Sequence, residues 1–325
     1  MSIKITGTGS ALPSLSKTND QISQLLDTSH EWIFSRTGIG SRHFCEEGLS
    51  KLATRAGSKA LADANCSPAD IDYLLCATFS NEYATPSLAC LVQQELGATC
   101  PSLDLNAACT GFIYGLEIAT ALLASGRAKR VLLIAAEAMS HLVDWTKRDI
   151  SVLFGDGAGA VVLERGEDLL ALTTSAIGNA APLYAKNPQG NCPYLTQNED
   201  DCYMHMDGKE IYKFAVTAMV QDILQVLAIA KITPEAVDYV LPHQANMRIL
   251  EAAAKRLPIP EEKFLNNMQS KGNTSAASIP ILLDEACSAG LIKAGQLLVM
   301  SAFGAGLTTG ACVIKWSKNN IKSEN

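Results

Sequence analysis

Short apolar runs alternate with helical stripes along much of this chain. "PSLDL" (101–105) reads as a strand, and 111–119 reads as a helix with Phe112, Leu116 and Ala119 on one face. "RVLLIAAE" (130–137) and "QLLVMSAF" (296–303) are apolar runs of strand length. Strand, tight turn, helix and strand in that order predict βαβ units, with parallel pairing and helices outside.

The plan occurs twice. "SPADIDYLL" (67–75) and "TPEAVDYVL" (233–241) share a pattern: a hydroxyl residue before proline, suited to an N-cap or a turn, then Asp-Tyr leading into an apolar strand. "AACTGFIYGLEIATALLASG" (107–126) aligns without a gap with "KGNTSAASIPILLDEACSAG" (271–290), each read as strand, turn and helix ending at a glycine. Matches at offsets of 166 and 164 residues point to internal duplication. The halves are expected at 1–165 and 166–325. In this alignment Cys109 corresponds to Asn273, and residue 77 to His243. If the halves pack about an approximate two-fold axis, equivalent loops meet at strand C-termini, where α/β sites form. Cys109, His243 and Asn273 then converge from distant parts of the chain.

Composition narrows the classes. The chain has 325 residues, 48% hydrophobic and 18% charged, enough for a large core. A net charge of −7 argues against a nucleic-acid partner. Ten cysteines are scattered without a C-x-x-C pair, so no metal ribbon or dithiol redox centre is expected. "MSIKITGTGS" lacks a charged segment followed by an apolar one, and no uncharged stretch approaches the length of a membrane span. Reduced thiols in a cytoplasm are the expectation.

Cys109, in "DLNAACTGF", stands before a helix among Ala107, Ala108, Thr110 and Gly111. Backbone N–H groups and the positive end of the helix dipole would favour its thiolate. Small neighbours would admit a substrate carbonyl. A small buried packing residue fits the local sequence equally well. His243 follows Pro242 at a strand exit, where it would either face a pocket or cap the strand; His30, His43, His141 and His205 read as capping or surface residues. Asn273, in "KGNTSAASIP", suits a tight turn, with or without a ligand. "FGDGAGAVVL" (154–163) and "SAFGAGLTTG" (301–310) lack the Lys-Ser/Thr of a phosphate loop. The first reads as a structural turn, the second as a source of a backbone N–H.

Together these segments resemble the β-ketoacyl-acyl carrier protein synthase III family of the thiolase superfamily. The likeness runs nearly end to end through "KITGTGSALP", "DTSHEWIFSRTGI", "AACTGF", "FGDGAGA", "PHQANMRI", "GNTSAAS" and "AFGAG". It implies an α/β, five-layered αβαβα thiolase-like fold of two pseudo-symmetric halves, and usually a homodimer. It implies a decarboxylating condensation of an acyl-CoA primer with malonyl-acyl carrier protein, initiating fatty acid biosynthesis, with neither cofactor nor metal. The family's catalytic residues fall on Cys109, His243 and Asn273, and its oxyanion amides on Cys109 and Gly306. Coenzyme A contacts fall on Thr28, Trp32, Arg36, Arg148, Gly208 and Asn246, with the adenine between Trp32 and Arg148. Carrier-protein contacts fall on Gln244, Ala245, Asn246, Met247 and Arg248, beside a basic patch of Lys213, Arg248, Lys255 and Arg256.

The sequence departs from the pattern at Asp149, where relatives commonly have glycine, and at Thr309, where a tryptophan can occur. Residues 178–206 have no strong match and read as a loop near the tunnel. Thr85 stands where a bulky aromatic can reach across the dimer into the acyl pocket. The smaller residue implies a deeper pocket, and each methylene that fits gains about 0.8 kcal/mol. Medium or longer straight-chain primers are therefore expected to rival acetyl-CoA. Three rivals have less support: Cys312 lacks the setting of a thiolase's second cysteine, neither Glu82 nor Glu137 sits in a hydroxymethylglutaryl-CoA synthase motif, and the intact Cys-His-Asn set argues against an inactive paralogue. A starter-unit synthase of specialised metabolism stays open as the alternative.

Overall fold

Two sheets carry the molecule. The computed structural model describes residues 2–188, 194 and 202–318. The first sheet has the spatial order Ser2–Ala11, Gly157–Gly166, Arg130–Glu137, Tyr73–Ala77, Ser102–Leu105. The second has the order Leu169–Asn179, Gly306–Lys315, Leu297–Gly304, Tyr239–Pro242. Tyr73–Ala77 runs parallel to Arg130–Glu137, as Tyr239–Pro242 does to Leu297–Gly304. The next two pairings in each sheet are antiparallel. Four strands of each sheet thus repeat one order and one set of directions.

Side-chain alternation sorts the layers. Along the first sheet Leu75, Ala77, Val131, Leu133 and Ala135 enter a central core, while Leu74, Cys76, Leu132, Ile134 and Ala136 enter an outer one. Along the second, Leu298, Met300, Cys312 and Ile314 face the centre, and Val299, Ala311 and Val313 face outward. Both faces of both sheets are therefore covered, which explains continuous apolar runs in place of an apolar–polar alternation.

The expectation that helices lie outside needs correction. Gly111–Ala124 and Ser278–Ser288, which follow Cys109 and Asn273, supply Phe112, Ile113, Leu116, Ile279, Ile281 and Leu283 to the central core between the sheets. Leu49–Asp63 and Leu88–Leu96 cover the first sheet from outside, and Gly208–Ala230 with Met247–Ala254 cover the second. Layers run helix, sheet, helix, sheet, helix. The helix Gly208–Ala230 is long and apolar enough to cross a membrane, yet its Ala215, Val216, Met219, Ile223 and Val226 are buried against the second sheet.

Each central helix also bonds to the opposite half. Asp284 accepts hydrogen bonds from Thr8 Oγ1 (2.8 Å) and Ser10 Oγ (2.6 Å). Tyr114 Oη donates to Ser175 O (2.8 Å), and Thr174 Oγ1 donates to Glu117 Oε2 (2.6 Å). The halves are locked through the layer that carries the candidate site.

The described parts of 178–206 include a paired ribbon as well as loop. Leu183–Tyr184 pairs with His205–Met206, and Tyr184 stacks on His205. The rest of that reading, at 189–193 and 195–201, falls outside the described residues.

Candidate active site

The strand Ser102–Leu105 ends in a turn at which Ala108 takes φ 47°, a left-handed conformation costly for a residue with a Cβ. A 3₁₀ turn, Ala108–Thr110, then passes into the helix Gly111–Ala124. This presents Cys109 at the helix entrance. Gly304, ending the strand Leu297–Gly304, comes so close that a Cβ there would lie 2.8 Å from Cys109 N. Only glycine fits.

Burial pushes the Cys109 thiol up to about 12; the Ser275 hydroxyl pulls the other way, and the charge of Glu137 adds to the rise. The sequence-based expectation of a thiolate therefore fails for the resting site. Desolvation and a neighbouring carboxylate outweigh the helix terminus. Ser275 Oγ lies 3.2 Å from Cys109 Sγ and 3.4 Å from Glu137 Oε1.

His243 leaves the strand Tyr239–Pro242, fixed by a bond from its N–H to Ser301 O (2.8 Å) and an edge contact with Phe303. Burial lowers the imidazole to about 3, so it is neutral. Its Nδ1 is 2.8 Å from Ser278 Oγ, which also accepts from Gln244 N at 3.3 Å. With that amide donating to it, the buried hydroxyl satisfies its own proton by donating to Nδ1. The ring proton then sits on Nε2. Asn273 is held by N–H to Leu153 O (2.9 Å) and by Gly155 N–H to its carbonyl (3.0 Å). Its Oδ1 accepts from Ser275 N (2.9 Å), which leaves Nδ2 as a donor. Ser275, Ser278 and Gly304 escaped the sequence reading. The two serines in "NTSAAS", Ser275 and Ser278, were the available signal.

Cys109, His243 and Asn273 line one cavity of about 1240 Å³. Their meeting does not follow the gapless repeat register. The positive-φ residue and 3₁₀ turn that open each central helix match Ala108 with Ser275, and helix starts match Gly111 with Ser278, offsets of 167 residues. Cys109 thus corresponds to Ala276. The predicted strand before Asn273 is a one-turn helix, Met268–Lys271, and Asn273 makes only an isolated bridge to Phe154.

Two assigned contacts move. Gly304 and Ala305 line the cavity beside Cys109, whereas Gly306 is exposed and lies outside it, where the chain enters the next strand. Gln244 is 0% exposed and cannot touch a carrier; its amide closes a turn through Pro242 O (2.7 Å) and Asn267 N (3.2 Å).

Trp32, Arg36, Gly208, Ala245 and Asn246 line the same cavity, as do Thr85, Asp149 and His141. His141 is exposed, in keeping with its surface reading, while it also lines the cavity. Thr85 is exposed and lines the cavity of its own chain. Asn246 Oδ1 caps the helix Met247–Ala254 through Arg248 N (2.9 Å). Lys213, Arg248, Lys255 and Arg256 are exposed, and Met247 is half-buried. Thr28 does not line the cavity; its Oγ1 is buried without a hydrogen-bond partner. Arg36 and Arg148 lie 4.5 and 4.9 Å from the Trp32 ring. A purine between Trp32 and Arg148 needs two stacking distances of about 3.5 Å each, so this sandwich is closed. Arg148 is tied instead to the carbonyl and carboxylate of Asp27. Among the described residues no group of three or more His, Cys, Asp or Glu is arranged to hold a metal.

The family model described as 3-Oxoacyl-[acyl-carrier-protein (ACP)] synthase III matches residues 103–180, and its C-terminal counterpart matches 227–316. A Beta-ketoacyl-[acyl-carrier-protein] synthase III of Aquifex aeolicus is 45% identical over 318 residues, 97% of this chain and 100% of that protein. The chain belongs to the β-ketoacyl-acyl carrier protein synthase III family. It has the α/β thiolase-like fold of that family, and its structure is similar to two solved synthases. The 3-oxoacyl-(acyl carrier protein) synthase III of Pseudomonas aeruginosa PAO1 superposes with TM-score 0.92 at 37% identity, over 98% of this chain and 99% of that one. The priming β-ketosynthase of the R1128 polyketide pathway gives TM-score 0.91 at 32% identity, over 98% and 97%.

Proposed function

We propose that this member of the synthase III family is an acyltransferase that condenses an acyl-CoA primer with malonyl-acyl carrier protein. The observation that carries the reading is one cavity lined both by a cysteine at a helix entrance and by two residues with N–H donors. Cys109 Sγ attacks the primer thioester and becomes acylated. The developing oxyanion meets the Cys109 amide and the Gly304–Ala305 backbone. The malonyl thioester then loses carbon dioxide, and the enolate oxygen accepts from His243 Nε2 and Asn273 Nδ2. The carbanion attacks the acyl carbonyl and releases Cys109. Trp32, Arg36, Gly208 and Asn246 suit the coenzyme end of the tunnel, and the exposed Lys213, Arg248, Lys255 and Arg256 suit an acidic carrier.

We further propose that the halves 1–165 and 166–325 arose by duplication, and that the chain works as a cytoplasmic homodimer. Ser102–Leu105 is an edge strand with Leu103 exposed, a template for pairing with a second copy. No bound cofactor is required by these steps. Likeness to the polyketide priming enzyme supports a second reading, in which the primer is that of specialised metabolism.

Intact-mass analysis after incubation with C2, C4, C8 and C12 acyl-CoAs tests this. Acylation should be confined to Cys109 and lost in Cys109→Ala, with C8 at least equal to C2 and selectivity moved toward C2 by Thr85→Phe. Normal acylation of Cys109→Ala would defeat the reading.

A further inference from the structure

Glu137 ends the apolar strand Arg130–Glu137 and is 0% exposed. Its two oxygens are treated differently. Oε2 accepts from Thr78 Oγ1 (3.2 Å), Phe79 N (3.3 Å) and Ser80 Oγ. Oε1 has one partner, Ser275 Oγ at 3.4 Å, and that hydroxyl is 3.2 Å from the Cys109 sulfur. From the Thr78–Ser80 segment Glu137 meets two hydroxyls and an amide, from the Ser275–Ala277 turn another hydroxyl, and the titratable group across that hydroxyl is Cys109. No cation compensates it among these contacts. A glutamine would satisfy the three donors on Oε2 equally well, so packing does not call for an acid.

We infer that Glu137, acting through Ser275, takes up the Cys109 proton when the sulfur is acylated and returns it when the sulfur is released. The inference rests on the condensation proposed above. In the first stage the Sγ–C bond forms as the thiol proton passes to Ser275 Oγ and the Ser275 proton passes to Oε1. The C–S bond to coenzyme A breaks, and the departing thiolate takes a proton from water. Glu137 stays neutral through the acyl-enzyme stage, so the malonyl carboxylate enters a site without that negative charge. In the second stage, decarboxylation and C–C bond formation are followed by expulsion of the Cys109 thiolate. The relay then runs backward, Oε1–H to Ser275 Oγ and Oγ–H to Sγ. One proton from water is consumed per turnover, in the coenzyme A thiol.

Three features agree. Burial raises Glu137 to about 8, so both its forms are accessible near neutrality. Cys109 is a thiol at rest, so a proton must leave it. His243 is too weak a base to accept one. Ser275 touches the reacting sulfur, and Glu137 is a positioning residue behind it.

The test compares the parent with Glu137→Gln, Glu137→Asp and Ser275→Ala. Cys109 modification by acetyl-CoA, by octanoyl-CoA and by iodoacetamide is followed by intact mass from pH 5.5 to 10, a window centred near the Glu137 value of about 8 and below that of the Cys109 thiol. Parent rates should rise through an ionisation near that of Glu137. Glu137→Gln and Ser275→Ala should each lose that rise and slow modification by about 10²-fold near neutrality. Glu137→Asp should recover part of it, and unchanged melting temperatures should show intact folds. If Glu137 acted only through its charge, removing it would ease thiolate formation and speed alkylation. Faster alkylation, or a parent-like pH profile in a folded variant, overturns the inference. If Glu137→Gln does not fold, Ser275→Ala decides alone. Failure of both acyl-CoAs on the parent protein would defeat the proposed function, while the iodoacetamide arm still judges the relay.

Discussion

Replacing Gly304 with alanine puts one methyl against the backbone of the nucleophile. The added Cβ would lie 2.8 Å from Cys109 N and 3.3 Å from the Cβ atoms of Ala108 and Cys109, against 3.4 Å or more for ordinary contact. Backbone and short side chains block it, so no rotamer change relieves the overlap. The chain must separate by about half an ångström at the amide offered to the oxyanion, and displacements on the ångström scale cost up to about 10² in rate. Losing one oxyanion donor outright costs about 10²–10³, or 2.7–4 kcal/mol. Gly304→Ala should therefore acylate about 10²-fold more slowly, with overpacking lowering stability by about 1–3 kcal/mol. Intact-mass kinetics with octanoyl-CoA gives the rate, and thermal unfolding gives the stability. Gly178→Ala is the control, since nothing lies within 4 Å of its added Cβ. A Gly304→Ala protein that acylates at the parent rate would refute the reasoning.

His243→Ala and Asn273→Ala each remove a proposed enolate donor but leave the thiol and helix entrance in place. Self-acylation should survive while carbon dioxide release from malonyl-acyl carrier protein falls about 10²-fold or more; equal loss of both stages would contradict the division of roles. His243 also makes stability depend on pH. Its folded value, about 3, lies below the ordinary histidine value of 6.5, so its contribution is full above 6.5 and is lost as pH falls toward 3. Denaturant titrations from pH 7 to 4 should show that decline, reduced in His243→Gln; identical slopes would be inconsistent with a buried neutral imidazole.

Local pattern alone determined a good deal of this protein. Ser67-Pro68 and Thr233-Pro234 each open a 3₁₀ turn leading into a parallel strand, as their hydroxyl-proline pairs imply. The run Arg130–Glu137 is a strand, and the stripe after Gly111 is a helix. Cys109, His243 and Asn273 were legible as a set from ordered motifs and from the expectation that repeated loops meet. Tertiary structure decided what depends on neighbours from other layers. A three-residue change of register is invisible when small residues dominate both segments, and the positive-φ turns at Ala108 and Ser275 reveal it. The helix terminus argued for a thiolate, but desolvation and Glu137 made Cys109 a thiol, because charge stability depends on everything packed around the sulfur. Gln244 read as surface and became a buried turn closure, since its amide found three backbone partners. Glu137 was visible as an acid ending an apolar strand. What it faces was set by Ser275, 138 residues away in sequence and brought to it by the packing of one half on the other.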